Sequence, residues 1–173
     1  LGVSAMNVIH SNAIPGCDMG DPAAVLAGLN ELFPMERHNE MYFTLWYGIL
    51  DVRQGTLTWS GGAHPPGLLL RPDGTMQELP SHGIMVGAAA GMTYEREQIE
   101  VQPGSRLLLY SDGIYELQRP GGDMATLRDF VDTVPAALQA SDPLDRILKH
   151  ARTVQQSDAF KDDVSLLEVR YQP

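Results

Sequence analysis

The chain has 173 residues, 43% of them hydrophobic and 20% charged, a length and balance that suit one globular domain with a sizeable core. Twelve basic against 22 acidic side chains leave a formal charge of −10, so no cationic surplus exists to bind a nucleic acid or dock on anionic lipid. No apolar run approaches the ~18 residues of a membrane span, no secretory signal is visible, and Cys17 has no partner for a disulfide, so a reducing cytoplasm is the expected compartment.

In "LGVSAMNVIHSNAI", Val3, Met6, Val8, Ile9 and Ala13 recur at mostly helical spacing, which predicts an opening helix. Asp21 is placed to cap a second amphipathic helix, "PAAVLAGLNELF", with Pro22 at its first position. "EMYFTLWYGILDV" turns β-branched and aromatic. With "RQGTLTWSGG" it reads as a hairpin, and its Trp46, Tyr47 and Trp59 need only packing partners. "GLLLRPDGTMQEL" repeats the device around a turn at Pro72 to Gly74. The small residues of "HGIMVGAAAGM" suit a loop and would let a flap move.

"YEREQIEVQPGSRLLLYSD" reads as strand, Pro-Gly turn, strand. Helices follow in "TLRDFVDTV" and "DPLDRILKHARTV", the second with Leu144, Ile147, Leu148 and Ala151 at i, i+3, i+4 and i+7, and "VSLLEVRYQ" is a last strand. Strands grouped in hairpins, with helices set apart, predict an α+β fold of mostly antiparallel sheets. A doubly wound order is missing, and so is any glycine-rich phosphate loop.

Two strand ends carry the chemistry. "RLLLYSDGIYE" climbs through an apolar run and stops on Asp112 and Gly113, while "KDDVSLLEVRY" places Asp162 and Asp163 just before another apolar run. If the two strands are antiparallel neighbours, three carboxylates gather at one edge of the sheet. Such carboxylates repel unless a cation neutralises them, and oxygen donors alone favour Mg²⁺ or Mn²⁺ over zinc. That is the donor set of metal-assisted phosphate ester hydrolysis. A bland reading stands beside it, in which "DG" and "DD" are ordinary turn and capping residues. His64, in the Gly/Pro-rich "GGAHPP", reads as structural, and Glu116 and Arg119 read as solvated side chains close to the aspartate motif.

"GGAHPPGLLLRPDG", "PGSRLLLYSDGIYEL" and "KDDVSLLEVRY", in this order, resemble the catalytic domain of the SpoIIE/RsbU class of metal-dependent serine/threonine phosphatases, the PPM family. "YFTLWYGILDVRQGTLTWSGGAHPP" is similar to that family's central hairpin. The resemblance runs from Met41 to Tyr171 and implies one domain over residues 1–173, the C-terminal three quarters of a phosphatase domain. It implies two antiparallel sheets packed as a sandwich and flanked by helices, with a binuclear Mn²⁺/Mg²⁺ site at one end. The Asp of the family's "[ST]DG" motif falls on Asp112 and the first Asp of its "D[DN]x[TS]" motif on Asp162, both as metal ligands. Asp163 takes the second place, where the family varies between Asp and Asn, so it completes the metal group from further out. Metal-activated water is the implied nucleophile, and no side-chain nucleophile is expected.

The implied substrate is a phosphorylated bacterial regulatory protein of the anti-sigma-factor-antagonist type, with a receiver or sensor domain upstream. The family's first half-site, an Asp in a "GDxxD"-like strand and another in a "DxSGHG"-like segment, has no counterpart in these residues. The 173 residues alone are therefore expected to be a poor catalyst, and an inactive pseudophosphatase that binds a regulatory partner is the competing reading. Sheet edges left open would make a homodimer a further expectation.

Overall fold

A computed structural model of the chain describes residues 1–172 and forms α1 over Gly2–His10 and α2 over Pro22–Leu32, where the apolar spacing puts them. Asp21 caps α2 as its position suggests, its carboxylate accepting from the Ala23 N–H at 3.1 Å. The residues fall into two compact units, one built from 1–64 and 80–101, the other from 65–79 and from 102 on.

In the first unit, β1 (Leu45–Asp51) and β2 (Thr56–Gly62) form the expected hairpin, and β5 (Glu97–Glu100) adds to β2, giving a three-stranded antiparallel sheet. Trp46 and Trp59 stack with ring centroids 6.5 Å apart, and the Trp59 indole N–H donates to the Pro80 carbonyl at 3.0 Å. A second cluster gathers Ala5, Ile14, Val25, Leu26, Leu29 and Phe33 around Val86 and Tyr94.

Asn30 organises that cluster. It is 1% exposed; its Oδ1 accepts from the Gly87 N–H at 2.8 Å and the Tyr94 hydroxyl at 3.3 Å, while its Nδ2 donates to the Ala89 carbonyl at 2.8 Å. Glu31 adds a fourth tie, accepting from the Gly91 N–H at 2.9 Å. The segment whose small residues would let a flap move is thus fastened to α2 between Gly87 and Gly91. Asn30→Leu would strand three polar groups in the cluster at once. It should lower the unfolding free energy by roughly 2–4 kcal/mol, read as a shifted urea midpoint.

In the second unit, β3 (Gly67–Leu70), β4 (Met76–Leu79), β6 (Arg106–Tyr110) and β7 (Leu166–Arg170) form an antiparallel sheet in the order β4-β3-β6-β7. One face of it, Leu68, Leu70, Leu108 and Tyr110, is buried with side chains of α3 (Leu127–Val131), α4 (Val134–Leu138) and α5 (Pro143–Gln155). A charged group shares the β6–β7 ladder. Arg106 stands opposite Arg170, and Glu168, whose side chain is 6% exposed, accepts from both guanidinium groups. Without the carboxylate the two cations would face each other across the ladder.

Burial alone would raise the Glu168 pKa, but the hydrogen bonds from Arg170 and Arg106 outweigh it and hold the carboxyl below its usual range. A depressed folded-state pKa gives stability that is present above the unfolded value, ~4.3, and lost as pH falls through the folded one. The expected result is a melting temperature that drops below about pH 4. Glu168→Gln should be less stable by about 2 kcal/mol at pH 7 and should flatten that acid limb.

Two expectations need correction. The Pro-Gly turn after β5 does not close a hairpin: β5 pairs with β2 and β6 with β3 and β7, so the turn passes the chain from one sheet to the other. The helix expected in "TLRDFVDTV" is present as α3, held by a capping box between Thr126 and Asp129, but a separate short α4 that was not expected follows it, with Val134 and Leu138 fully buried.

Candidate metal centre

Strands β6 and β7 are antiparallel neighbours, with Leu107 opposite Val169 and Tyr110 opposite Leu166 as the last ladder pair. The C-terminal end of one therefore lies beside the N-terminal end of the other. Ser111 fastens the two chains just past the ladder. Its N–H donates to the Ser165 carbonyl at 3.0 Å; its hydroxyl accepts from the Ser165 N–H at 2.8 Å and donates to the Asp163 carbonyl at 3.0 Å.

The chain then enters a single 3-10 turn over Asp112–Ile114, where the Asp112 carbonyl accepts from the N–H groups of Tyr115 and Glu116, each at 2.9 Å. Tyr110, 2% exposed and set against Phe130 and Tyr115, anchors the root of this turn in the core. Burial pushes its phenol far up, so it stays neutral. Burial and then the Glu116 and Asp112 carboxylates push the Tyr115 phenol up as well.

Gly113 explains the fit between the two segments. A Cβ there would lie 2.6 Å from the Asp163 carbonyl oxygen and 3.4 Å from the Asp162 carbonyl carbon. Its φ is not in the left-handed region, so the glycine is needed for close approach rather than for a sharp turn.

Backbone geometry thus brings Asp112 next to Asp162 and Asp163. All three side chains are exposed. Among the described residues, the Asp112 carboxylate has no hydrogen bond or ion pair, and the Asp162 Oδ1 accepts only from the Asp163 N–H, at 2.7 Å. Also among the described residues, no three carboxylate, imidazole or thiolate groups converge as an ion's ligand set would. Exposed like charges gain nothing by converging in water. The donor chemistry fits a hard divalent cation in part: unpartnered carboxylate oxygens held on two abutting backbones, able to supply two or three of the six oxygens such an ion takes, with water or other donors for the rest. Glu116 lies exposed beside them. Arg119 is engaged on the other side, its Nη2 pairing with the Asp129 Oδ2 at 2.9 Å.

Comparison with known proteins now decides the family. The family model of Stage II sporulation protein E (SpoIIE) matches residues 3–172. The chain belongs to the SpoIIE family.

Two curated relatives are similar to the chain. The phosphoserine phosphatase RsbU of Bacillus subtilis (strain 168) is 24% identical over 102 residues, 58% of this chain and 30% of that protein. Protein IcfG of Synechocystis sp. is 25% identical over 130 residues, 75% of this chain and 20% of that protein. The chain thus spans well under half the length of the curated relatives it matches. Among solved structures, the PP2C phosphatase domain of SpoIIE from Bacillus subtilis superposes with a TM-score of 0.78 at 18% identity, covering 97% of this chain and 48% of that one. RsbX in complex with magnesium matches with a TM-score of 0.65 at 16% identity, covering 96% of this chain and 70% of that one.

The α+β fold with two antiparallel sheets is accordingly that of the PP2C phosphatase domains, and this SpoIIE-family chain is related to PP2C-type phosphatases, for which a divalent metal is implied. Among the described residues no helix is long and apolar enough to cross a membrane. Sequence reasoning named Asp112, Asp162 and Asp163 but passed over Ser111. Its signal was present: it is the hydroxyl residue of the "[ST]DG" motif.

Proposed function

We propose that the protein is a metal-dependent serine/threonine phosphatase acting on a phosphorylated regulatory protein, of the anti-sigma-factor-antagonist type. The observation that carries this reading is the abutment of the Asp112 turn on the Asp162–Asp163 segment, in a chain whose relatives include a phosphoserine phosphatase. Asp112 and Asp162 would hold a Mn²⁺ or Mg²⁺ ion directly, and Asp163 would support the group from the second place of its motif. A bound divalent ion stabilises charge on a phosphoryl group and makes water a nucleophile at neutral pH.

The rest falls to the chain's own residues. Gly113 lets the two carboxylate-bearing backbones touch, Ser111 fixes their separation, and Tyr110 keeps the turn from moving relative to the core. The motif acts as a rigid half-site. A receiver or sensor domain in the same natural protein would govern access to it, and the single-domain boundary over 1–173 belongs to this same proposal.

The test is Mn²⁺-dependent release of inorganic phosphate from a serine-phosphorylated protein by the intact natural protein. Turnover that EDTA removes and Mn²⁺ restores supports the reading. Binding of the phosphoprotein with no release under either condition would make the protein an adaptor instead.

A further inference from the structure

A cleft of about 390 Å³ opens beside the half-site, within the ~300–1,000 Å³ of ligand clefts. Gly113 and Asp162 lie at one end of it; one wall is the 116–122 loop and the other is the end of α5 with the segment that follows. Both walls are held in shape. The loop is closed by the Arg119 N–H donating to the Asp123 carbonyl at 2.8 Å and by the Arg119–Asp129 pair. Across from it, the Gln155 amide donates to the carbonyls of Ser157 and Ala159 at 2.9 and 3.1 Å.

Lys161 joins the two walls, its ammonium group in contact with the Gln118 side-chain carbonyl. This pairing is unusual for the chain. There are only two lysines among 22 acidic residues, and the other, Lys149, is paired with Asp145 at 2.6 Å. Lys161 directly precedes two aspartates, yet among the described residues it makes no ion pair. An ammonium group carries three donors, and an anionic oxygen adds to the hydrogen bond a Coulomb attraction that a neutral amide lacks. Gln118 therefore occupies a place that an anionic oxygen would take in preference. Glu116 and Asp162 line the same cleft and would repel a dianion, so the phosphorylated group needs a cation there; of the two that line the cleft, Arg119 is already paired with Asp129, which leaves Lys161.

We propose that this cleft takes the phosphoserine-bearing segment of the substrate protein, with the Lys161 ammonium displacing from Gln118 onto the phosphoryl oxygens. The proposal rests on the phosphatase reading for the identity of its ligand. The side-chain amides of the walls suit the peptide groups of an extended segment, which offers donors and acceptors alternately.

The experiment measures binding of a short fluorescein-labelled phosphoserine peptide and its unphosphorylated twin to the intact protein in EDTA, by fluorescence anisotropy. Turnover of the same phosphopeptide is then followed with Mn²⁺. Lys161→Gln is expected to weaken phosphopeptide binding roughly five- to tenfold and leave the twin unchanged, while Lys161→Arg stays within about twofold of the native protein. KM should rise by the same factor as the dissociation constant, with a smaller change in kcat. Because Lys161 is exposed, the melting temperature should hold in both variants.

A native protein that does not distinguish the phosphopeptide from its twin overturns the proposal, and so does a Lys161→Gln protein that binds like the native one. The two readings separate cleanly. Phosphate-dependent binding that needs Lys161 without any turnover keeps the cleft and removes the phosphatase. Turnover with an unchanged KM in Lys161→Gln keeps the phosphatase and removes the cleft.

Discussion

Replacing Asp112 with asparagine should lower Mn²⁺-dependent turnover of the intact protein by on the order of a hundredfold or more, and leave its melting temperature unchanged. The two halves of this expectation have separate causes. The 3-10 turn is built from the Asp112 carbonyl, which receives both the Tyr115 and Glu116 N–H groups, and asparagine keeps that carbonyl. The side chain is exposed and unpaired among the described residues, so its replacement should change stability by no more than ~0.5 kcal/mol. What asparagine removes is the negative charge, on which a hard cation depends. Calorimetric titration with Mn²⁺ should show the weakened ion affinity directly. Asp163→Asn is the matched comparison and should retain most of the activity, because Asp163 is proposed to support the group from the second place of the motif and not to hold the ion directly. Unchanged turnover in Asp112→Asn would remove the ligand role and with it the reading of the half-site.

Turn and cap chemistry was legible in the sequence because it is local. Asp21 with Pro22 starts α2, the Pro72-Asp73-Gly74 turn joins β3 to β4, and the apolar runs on either side of the aspartate motifs are strands. Partner choice was less legible. The Pro-Gly turn before β6 is a good turn whether or not its flanking strands pair, and nothing within it says that β5 belongs to one sheet and β6 to another. Short α4 escaped because "VPAAL" has no helical run to reveal it. It forms as Val134 and Leu138 are buried, a gain that only tertiary packing supplies. Asn30 looked like any polar residue inside a helix, since its three partners lie 57 to 64 positions away. At the site itself, the motif spacing foretold which backbones would meet. It did not foretell three separate exposed carboxylates, because side-chain positions answer to water and counter-charge rather than to strand register.

Gly113→Ala should have the second large effect, through the backbone alone. The added Cβ would meet the Asp163 carbonyl oxygen at 2.6 Å and its carbonyl carbon at 3.1 Å, both main-chain atoms of a segment tied to Ser111. A flexible side-chain tip could move aside; this peptide cannot move without breaking the bond from the Ser111 hydroxyl. The expected loss of stability is about 1–3 kcal/mol, the range for forcing one extra carbon into a filled space. Metal affinity should fall by more than that loss explains, because the displaced residues are Asp162 and Asp163 themselves. Gly2→Ala, where nothing lies within 4 Å, should leave both quantities unchanged. The measurements are urea midpoints and Mn²⁺ titrations on the same preparations. A Gly113→Ala protein with native stability and native Mn²⁺ affinity would mean that the two segments do not rest on each other. The close approach from which the half-site is argued would then be lost, whatever Asp112 does alone.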